Sequence, residues 1–263
     1  MRSVLRVSLT GAALLVLSAC SRDAAPTASL PADLATLSID PDVGATPGQA
    51  SLPGFTMSPD NTYQGSVASS DQCAYSTTSL RVECAPVTRD GLTIIRSIGF
   101  YDAAGAPQTH RDSTTSSTNT RVAVKGTTTT TRGVFTVDRA SSVTVTGLGR
   151  SSTAHTINGT ETGTSSATLS TDNGGSAAVS ETFSATTDNV IVPAPFTAAS
   201  WPLSGTATRR TTLTASRGGT TRTSAQSEVV TFNGTATVGV AVTRDGTTRA
   251  CTRNLTTHAT TCP

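Results

Sequence analysis

The chain has 263 residues, carries 19 basic and 17 acidic side chains, and is 35% hydrophobic but only 4% aromatic. So small a charge surplus excludes the dense basic patches of nucleic-acid-binding proteins, and we expect no nucleic-acid partner. About a fifth of the residues are Thr, a β-branched type that favours strands. The composition therefore favours an all-β fold with few large side chains to fill a deep core.

Residues 1–19 have the features of an export signal. Arg2 and Arg6 form a short basic segment, and an apolar segment follows from Val7 to Leu17. This segment is shorter than the roughly 20 apolar residues that cross a bilayer permanently. The sequence therefore predicts a cleaved signal peptide and not an anchor helix.

The predicted signal ends at Leu17-Ser18-Ala19-Cys20, where small residues lead directly into a cysteine. This motif resembles the lipobox of bacterial lipoproteins, and the resemblance covers only the first 20 residues. It implies that Cys20 becomes the mature N-terminus, carries diacylglyceryl and palmitoyl chains, and attaches the protein to a membrane. Ser21 resembles an outer-membrane sorting residue, so we expect a cell-envelope protein that faces the periplasm or the exterior. The alternative is an ordinary secretory signal in which Cys20 is incidental.

Residues 20–60 are predicted to be a lipidated N-terminus and a flexible tether. They are rich in Ala, Ser and Asp, and prolines occur at positions 26, 31, 41, 47, 53 and 59. Leu30, Leu34 and Leu37 are spaced for one or two helical turns. Residues 61–263 are predicted to form a β-rich domain, in which the Pro-containing segment 188–204 joins two halves and places Trp201 against the core.

From about Tyr63 onward, short segments alternate apolar and polar residues. Leu92, Ile94, Ile98 and Phe100 share one face of a predicted strand, which Arg96 interrupts. Dipeptides typical of turns separate these segments, namely Asp90-Gly91, Asn158-Gly159, Gly218-Gly219, Asn233-Gly234 and Asp245-Gly246. Thr-x-Thr repeats predict solvated strand faces. We therefore predict antiparallel sheets built from consecutive hairpins, as a sandwich, an open sheet or a curved barrel-like sheet, with minor helix.

The four cysteines besides Cys20 are predicted to form two disulfides. Ten residues separate Cys73 from Cys84, and ten separate Cys251 from Cys262. Four cysteines allow three pairings. The equal spacing favours Cys73–Cys84 and Cys251–Cys262, each bridging a hairpin with a two-residue turn. A metal site is the weaker alternative, because structural zinc sites usually hold cysteine pairs about two to four residues apart.

No catalytic motif occurs in the sequence. His110, His155 and His258 form no metal-binding motif, and neither G-x-S-x-G nor S-x-x-K is present. Glu181 alternates with Val179 and Phe183, so it is a candidate for a buried acid, and a pairing with Arg is the favoured interpretation. We predict no catalytic residue, no cofactor-binding residue, no metal ligand and no cofactor.

Three functions remain open, and we favour them in the order given. The first is a non-enzymatic, membrane-anchored envelope lipoprotein with a binding or structural role toward a protein, glycan or lipid. The second is a carrier of lipid or another apolar molecule, held in a concave sheet lined by Ile94, Phe100, Val143 and Phe183. The third is a hydrolase of envelope polymers that uses two carboxylates near Glu181 or Glu161. The sequence leaves the oligomeric state open.

Overall fold

Segments that follow one another in this chain pair with one another, and they build one large antiparallel sheet. The computed structural model describes residues 50–52, 55–57, 73–130, 133–170, 175–195, 197 and 200–263. The strands are β1 (Ala50–Leu52), β2 (Phe55–Met57), β3 (Cys73–Ser76), β4 (Arg81–Cys84), β5 (Val87–Arg89), β6 (Leu92–Tyr101), β7 (Pro107–Gln108), β8 (Ser117–Thr130), β9 (Gly133–Thr146), β10 (Ala154–Ser170), β11 (Ser176–Pro193), β12 (Ser204–Arg217), β13 (Thr220–Thr231), β14 (Thr237–Arg244), β15 (Thr247–Asn254) and β16 (Thr260–Thr261). These ranges contain no helix, and the predicted all-β class is confirmed.

The main sheet has 14 strands and is open. From β8 to β16, each strand is hydrogen-bonded to the next one along the chain. β6 pairs with β8, and three short strands, β4, β5 and β7, cover the other edge of β6. β3 and β16 are the two ends of the sheet. β1 and β2 pair with each other, within the segment predicted as a tether. The helical turns predicted around Leu34 lie outside the described residues.

One face of the sheet is buried and the other is exposed. In β11, the odd-numbered residues from Val179 to Thr187 are buried. A bulge at Asp188 and Asn189 then shifts the alternation, so that Val190 and Val192 are buried instead. Buried side chains from β9 to β15 form one cluster: Val143, Val145, Ile157, Val190, Val192, Ala207, Val230, Phe232, Val238, Val240 and Cys251. Because no helix in the described residues covers this face, we infer that the sheet curves around it. We call it the inner face.

The opposite, outer face consists largely of small hydroxyl-bearing residues. Thr164, Thr182 and Thr212 are exposed and lie side by side on three neighbouring strands. Hydroxyl groups also meet across strands, as in the pair Thr214–Thr223, whose Oγ1 atoms are 3.0 Å apart. The Thr-x-Thr repeats thus form a solvated strand face, as predicted.

Three of the predicted turns are two-residue hairpin turns, and another is absent. The three are Asp90-Gly91, Gly218-Gly219 and Asp245-Gly246, which have positive φ at both residues, as this turn type requires. The turn predicted at Asn158-Gly159 is wrong, because both residues lie inside β10. The Oδ1 atom of Asn158 accepts a hydrogen bond from the backbone N–H of Asn189, at 2.8 Å, in the bulge of β11. The dipeptide therefore accommodates a bulge and does not reverse the chain.

The interruption predicted at 188–204 is shorter than expected. β11 continues to Pro193, β12 begins at Ser204, and the two strands pair within the same sheet. The bulge at Asp188 and Asn189 explains the difference, because it breaks the alternation in the sequence without ending the strand. Trp201 is half-buried in the connection.

Both predicted disulfides are present, at opposite ends of the sheet. The Sγ atoms are 2.12 Å apart in Cys73–Cys84 and 2.00 Å apart in Cys251–Cys262. The two-residue turns predicted for these hairpins are wrong. Each hairpin has a four-residue loop, 77–80 or 255–258, whose last residue has a φ of 56° at Leu80 and 58° at His258. In both loops the last residue, seven positions after the first cysteine, has a left-handed backbone conformation.

Removal of the second disulfide by Cys251→Ala and Cys262→Ala is expected to lower the free energy of unfolding by roughly 2–3 kcal/mol. The bond closes a short loop, and β16 contributes only two residues to the sheet. Urea unfolding monitored by circular dichroism measures the difference. Thr257→Ala, an exposed change in the same loop, is the control. An unfolding midpoint equal to that of the control would contradict a stabilising role for the bond.

Candidate functional site

A band of charged residues crosses the inner face. The register aligns directly opposed residues on nine strands, and this row is Arg96, Val122, Ser141, Glu161, Ala185, Arg209, Glu228, Val242 and Arg249. Together with charged inner-face residues up to four positions away along the strands, it forms a set that we call the charged belt: Arg96, Arg139, Glu161, Glu181, Arg209, Glu228, Arg244, Arg249 and Arg253. Apolar inner-face residues lie on both sides of the belt, including Val143 and Val190 on one side and Val179 and Ala215 on the other.

Glu181 is the most deeply buried acid of the belt, with 2% of its surface exposed. Its Oε1 atom accepts a hydrogen bond from Arg209 Nη2 at 3.2 Å, and this contact is also an ion pair. Its Oε2 atom accepts one from the Ser165 hydroxyl at 3.3 Å. Since a buried carboxylate needs a counter-charge and hydrogen bonds, these contacts account for its presence in the interior. The predicted pairing of Glu181 with an Arg is confirmed.

Phe183 lies between two arginines of the belt. The Cζ atoms of Arg139 and Arg209 are 4.5 Å and 5.1 Å from the centre of its ring, distances typical of cation–π contacts. Gly163, directly opposite Phe183 and Arg139 on β10, makes this contact possible. A Cβ atom at Gly163 would lie 2.8 Å from Phe183 Cε1 and 2.9 Å from Arg139 Cγ. The absence of a side chain there lets residues of β9 and β11 meet above β10.

A second ion pair joins β13 and β15. Arg253 donates hydrogen bonds to both carboxylate oxygens of Glu228, with Nη2 and Oε2 2.8 Å apart. Arg253 Nε also donates to the Thr260 hydroxyl on β16. This bidentate geometry fixes both the orientation and the position of the Glu228 carboxylate. Because β14 lies between the two strands, this contact is consistent with a curved inner face.

The sequence suggested a pair of hydrolase carboxylates near Glu181 or near Glu161, and these two acids lie on the same face but not in the same row. Glu161 is directly opposite Ala185, whereas Glu181 is directly opposite Ser165. The offset is four residues, or about 13 Å along the strands. Glycosidase carboxylates are about 5–9.5 Å apart. The backbone positions of Glu161 and Glu181 are therefore farther apart than the two carboxylates of such a pair.

The four residues expected to line an apolar cavity also share the inner face. The register of the strands places all four residues on this face: Ile94, Phe100, Val143 and Phe183. Val143 packs in the buried cluster, and Phe183 lies between two guanidinium groups. The charged belt therefore divides the apolar surface that a lipid would contact.

Arg81 has a different role, on the outer face. It is 5% exposed, and its guanidinium donates to the Ser97 hydroxyl, to Asn119 Oδ1 and to the carbonyl oxygens of both residues. Burial lowers the pKa of Arg81, and the nearby positive charge of Arg121 lowers it further. These contacts tie β4 to β6 and β8, so we assign Arg81 to the structure of the sheet.

Most of the charged belt was not identifiable from the sequence. Arg96 stood out as an interruption of an apolar face, but Arg139, Arg209, Glu228 and Arg253 did not. A usable signal did exist for Arg209, which alternates with the buried residues Ala207 and Leu213. Its neighbour Arg210 is exposed on the outer face.

The structure describes some of the remaining predicted sites and not others. Cys20 lies outside the described residues. Within the described ranges, no group of three or more His, Cys, Asp and Glu residues is placed to hold a metal ion. That part of the chain also contains no helix that could serve as a transmembrane span.

Comparison of the chain with protein-family models, with curated proteins and with solved structures finds no match.

Proposed function

We propose that this chain is a non-enzymatic lipoprotein of the bacterial cell envelope, attached to the outer membrane through Cys20, whose sheet binds a partner on its inner face. The observation that carries the binding role is the charged belt, in which carboxylates are held in fixed orientation by arginines. Glu181 pairs with Arg209, and Glu228 pairs with Arg253. A carboxylate that is oriented in this way keeps lone pairs that can accept hydrogen bonds from the polar groups of a partner.

The membrane attachment is supported by the sequence Leu17-Ser18-Ala19-Cys20, and by the Pro-rich residues that follow it. Two or more acyl chains anchor a protein stably, whereas one chain binds only marginally. The tether would hold the inner face near the membrane with freedom to turn toward a partner.

Cys20→Ser is expected to abolish lipid attachment and release the protein from the membrane. The thiol is the only group at this position that can take the diacylglyceryl chain. Cells that express either form, fed an alkyne analogue of palmitate, are fractionated, and the label on the protein is measured. Cys73→Ala is the control, because it removes a cysteine outside the motif and is expected to keep the label. Equal labelling of Cys20→Ser and the natural chain would refute the anchor.

A carrier of an apolar molecule is the second candidate. It is supported by the shared inner-face position of Ile94, Phe100 and Val143. Mass spectrometry of organic extracts from the purified full chain distinguishes the two candidates. A stoichiometric lipid that is still present in the Cys20→Ser form would favour the carrier, because that lipid cannot be the anchor.

A further inference from the structure

The hairpin of β12 and β13 extends beyond β14, and this leaves part of β13 with a partner on one side only. β13 pairs with β12 over its whole length, from Thr220 to Thr231, but it pairs with β14 only from Gln226 onward. In the described residues, no strand pairs with residues 220–224 on the side away from β12. We call this five-residue segment the free edge. It begins directly after the turn at Gly218-Gly219.

The backbone of the free edge has hydrogen-bonding groups that no described strand uses. The N–H and C=O groups of Ala225 point away from β12, since both are hydrogen-bonded to Asp245, at 2.9 Å each. Backbone groups alternate in direction along an antiparallel strand, so those of Thr221 and Thr223 point the same way. Asp245 therefore caps the edge where β14 ends, and the two Thr residues beyond it can pair with another strand.

The side chains of the free edge hold it in an extended conformation. Thr221 and Thr223 are β-branched, and their hydroxyl oxygens lie 2.8 Å and 3.0 Å from those of Ser216 and Thr214 on β12. An edge that is already ordered can add a strand at a lower cost in conformational entropy. The strand at one end of the sheet, β16, has only two residues and offers no comparable length.

The free edge carries positive charge on its inner-face side. Arg222 is exposed and lies directly opposite the buried Ala215, so its side chain is on the inner face. Arg217, its diagonal neighbour on β12, shares this face. Neither arginine has an ion pair or a hydrogen bond with another residue that the structure describes. The carboxylate of Asp245 lies at the opposite end of the edge, where it accepts a hydrogen bond from Ser224.

The position of Arg222 disfavours a second copy of this chain as the occupant. An antiparallel pairing of two free edges that uses the backbone of both Thr221 and Thr223 places Arg222 directly opposite the same residue of the other copy. Like charges that are directly opposed on a sheet are destabilising, whereas opposite charges stabilise the pair. The charge at the centre of the edge therefore favours a strand of another protein that carries an acid at this position.

We propose that the free edge binds an extended acidic peptide segment of a partner protein, which adds to the sheet beside β13 with a Glu or Asp opposite Arg222. The backbone of Thr221 and Thr223 forms the hydrogen bonds, and the charge pair determines which peptide is accepted. Beyond Asp245 the edge accommodates about five residues, or about 17 Å of extended chain. This contact goes beyond the inner-face binding proposed above and does not depend on it.

The test is fluorescence anisotropy with the full chain in detergent and three labelled, end-blocked peptides. The first has the sequence Ser-Val-Thr-Glu-Thr-Val-Ser, the second has Lys in place of Glu, and the third is the first peptide with both Thr nitrogens methylated. We expect the first peptide to bind, and the other two to bind at least about tenfold more weakly. The methylated peptide keeps its charge but lacks the N–H donors, so it distinguishes strand addition from simple ion pairing.

Two variants test the two parts of the site. Arg222→Glu is expected to reverse the preference, so that the Lys peptide binds more tightly than the Glu peptide. Thr223→Pro is expected to weaken binding of the Glu peptide at least about tenfold, because it removes an N–H donor on the side of an edge strand where Pro is tolerated. Thr223→Val keeps this N–H, and Arg210→Glu changes a charge on the outer face. Both are controls and are expected to bind the Glu peptide as the natural chain does.

Several outcomes would overturn the proposal. Failure of the Glu peptide to bind, or equal binding of the Glu and Lys peptides, would refute the acidic ligand. Equal binding of the methylated peptide would refute strand addition. If sedimentation shows a dimer of the natural chain that Thr223→Pro converts to a monomer, a second copy occupies the edge instead. If Thr223→Pro does not fold, the methylated peptide decides the same point on the natural chain. Because Cys20→Ser labelling does not involve the free edge, the anchor and the edge site fail separately.

Discussion

Replacing Arg209 with Met is expected to lower the free energy of unfolding by about 3–5 kcal/mol. The change leaves the Glu181 carboxylate, whose side chain is 1% exposed, without its counter-ion in the interior. It also removes one of the two cations that contact Phe183. Urea unfolding of the full chain, monitored by circular dichroism, measures the loss.

A double-mutant cycle separates the cost of an unpaired charge from the cost of lost packing. Glu181→Met combined with Arg209→Met is expected to recover most of the stability, because no uncompensated charge then remains buried. Lys125→Met is the matched control, since the Lys125–Asp138 pair is on the outer face with side chains 76% and 57% exposed. Its loss is expected to cost less than about 1 kcal/mol. If Arg209→Met costs no more than Lys125→Met, the buried pair is not a stabilising element.

Gly163→Val is expected to destabilise the protein by about 3 kcal/mol or more, although Val favours strands. A Cβ atom at Gly163 would lie within 2.8 Å of the Asp138 carbonyl oxygen, and equally close to Phe183 Cε1. The backbone atom cannot move aside without distorting β9. The ring and Arg139 must therefore separate, so this variant is also expected to lose the near-ultraviolet circular dichroism contributed by Phe183.

Gly239→Val is the control for the effect of Val in a strand. Gly239 is exposed on the outer face of β14, and a Cβ atom there would have no atom within 4 Å. The change is expected to be neutral or slightly stabilising, because Val lowers the conformational entropy of the unfolded chain relative to Gly. Similar destabilisation by both substitutions would contradict the claim that the contacts of Phe183 require a residue without a side chain at position 163.

The alternation of apolar and polar residues predicted most of the strands, because the direction of a side chain in a strand is a local property. The face shared by Ile94, Ile98 and Phe100 is a case in which the prediction is confirmed. The same reasoning was wrong at Asn158-Gly159, where a bulge on the neighbouring strand uses residues that usually form a turn. Whether such a dipeptide turns the chain depends on its partner strand, and a single strand's sequence does not contain that information.

The candidate site was less predictable than the fold. Glu181 was identified as a buried acid that pairs with Arg, but its partner was not, since 28 residues separate it from Arg209. Arg209 and Arg210 are identical in kind and adjacent in sequence, and only the register with β11 places the first beside Glu181. The contact of Arg139 with Phe183 needs β10 to carry Gly163 at one position, and three strands must align for this to occur.

The sequence by itself determined the all-β class, the pairing of the four cysteines in hairpins, and the expectation of a lipid anchor at Cys20. Each of these depends on composition or on spacing within a short segment. Only the tertiary structure decided that the sheet is open, which residues form the charged belt, and which arginine pairs with Glu181. Those features depend on the register of nine strands and on the curvature of the sheet, which bring together side chains that are distant in sequence.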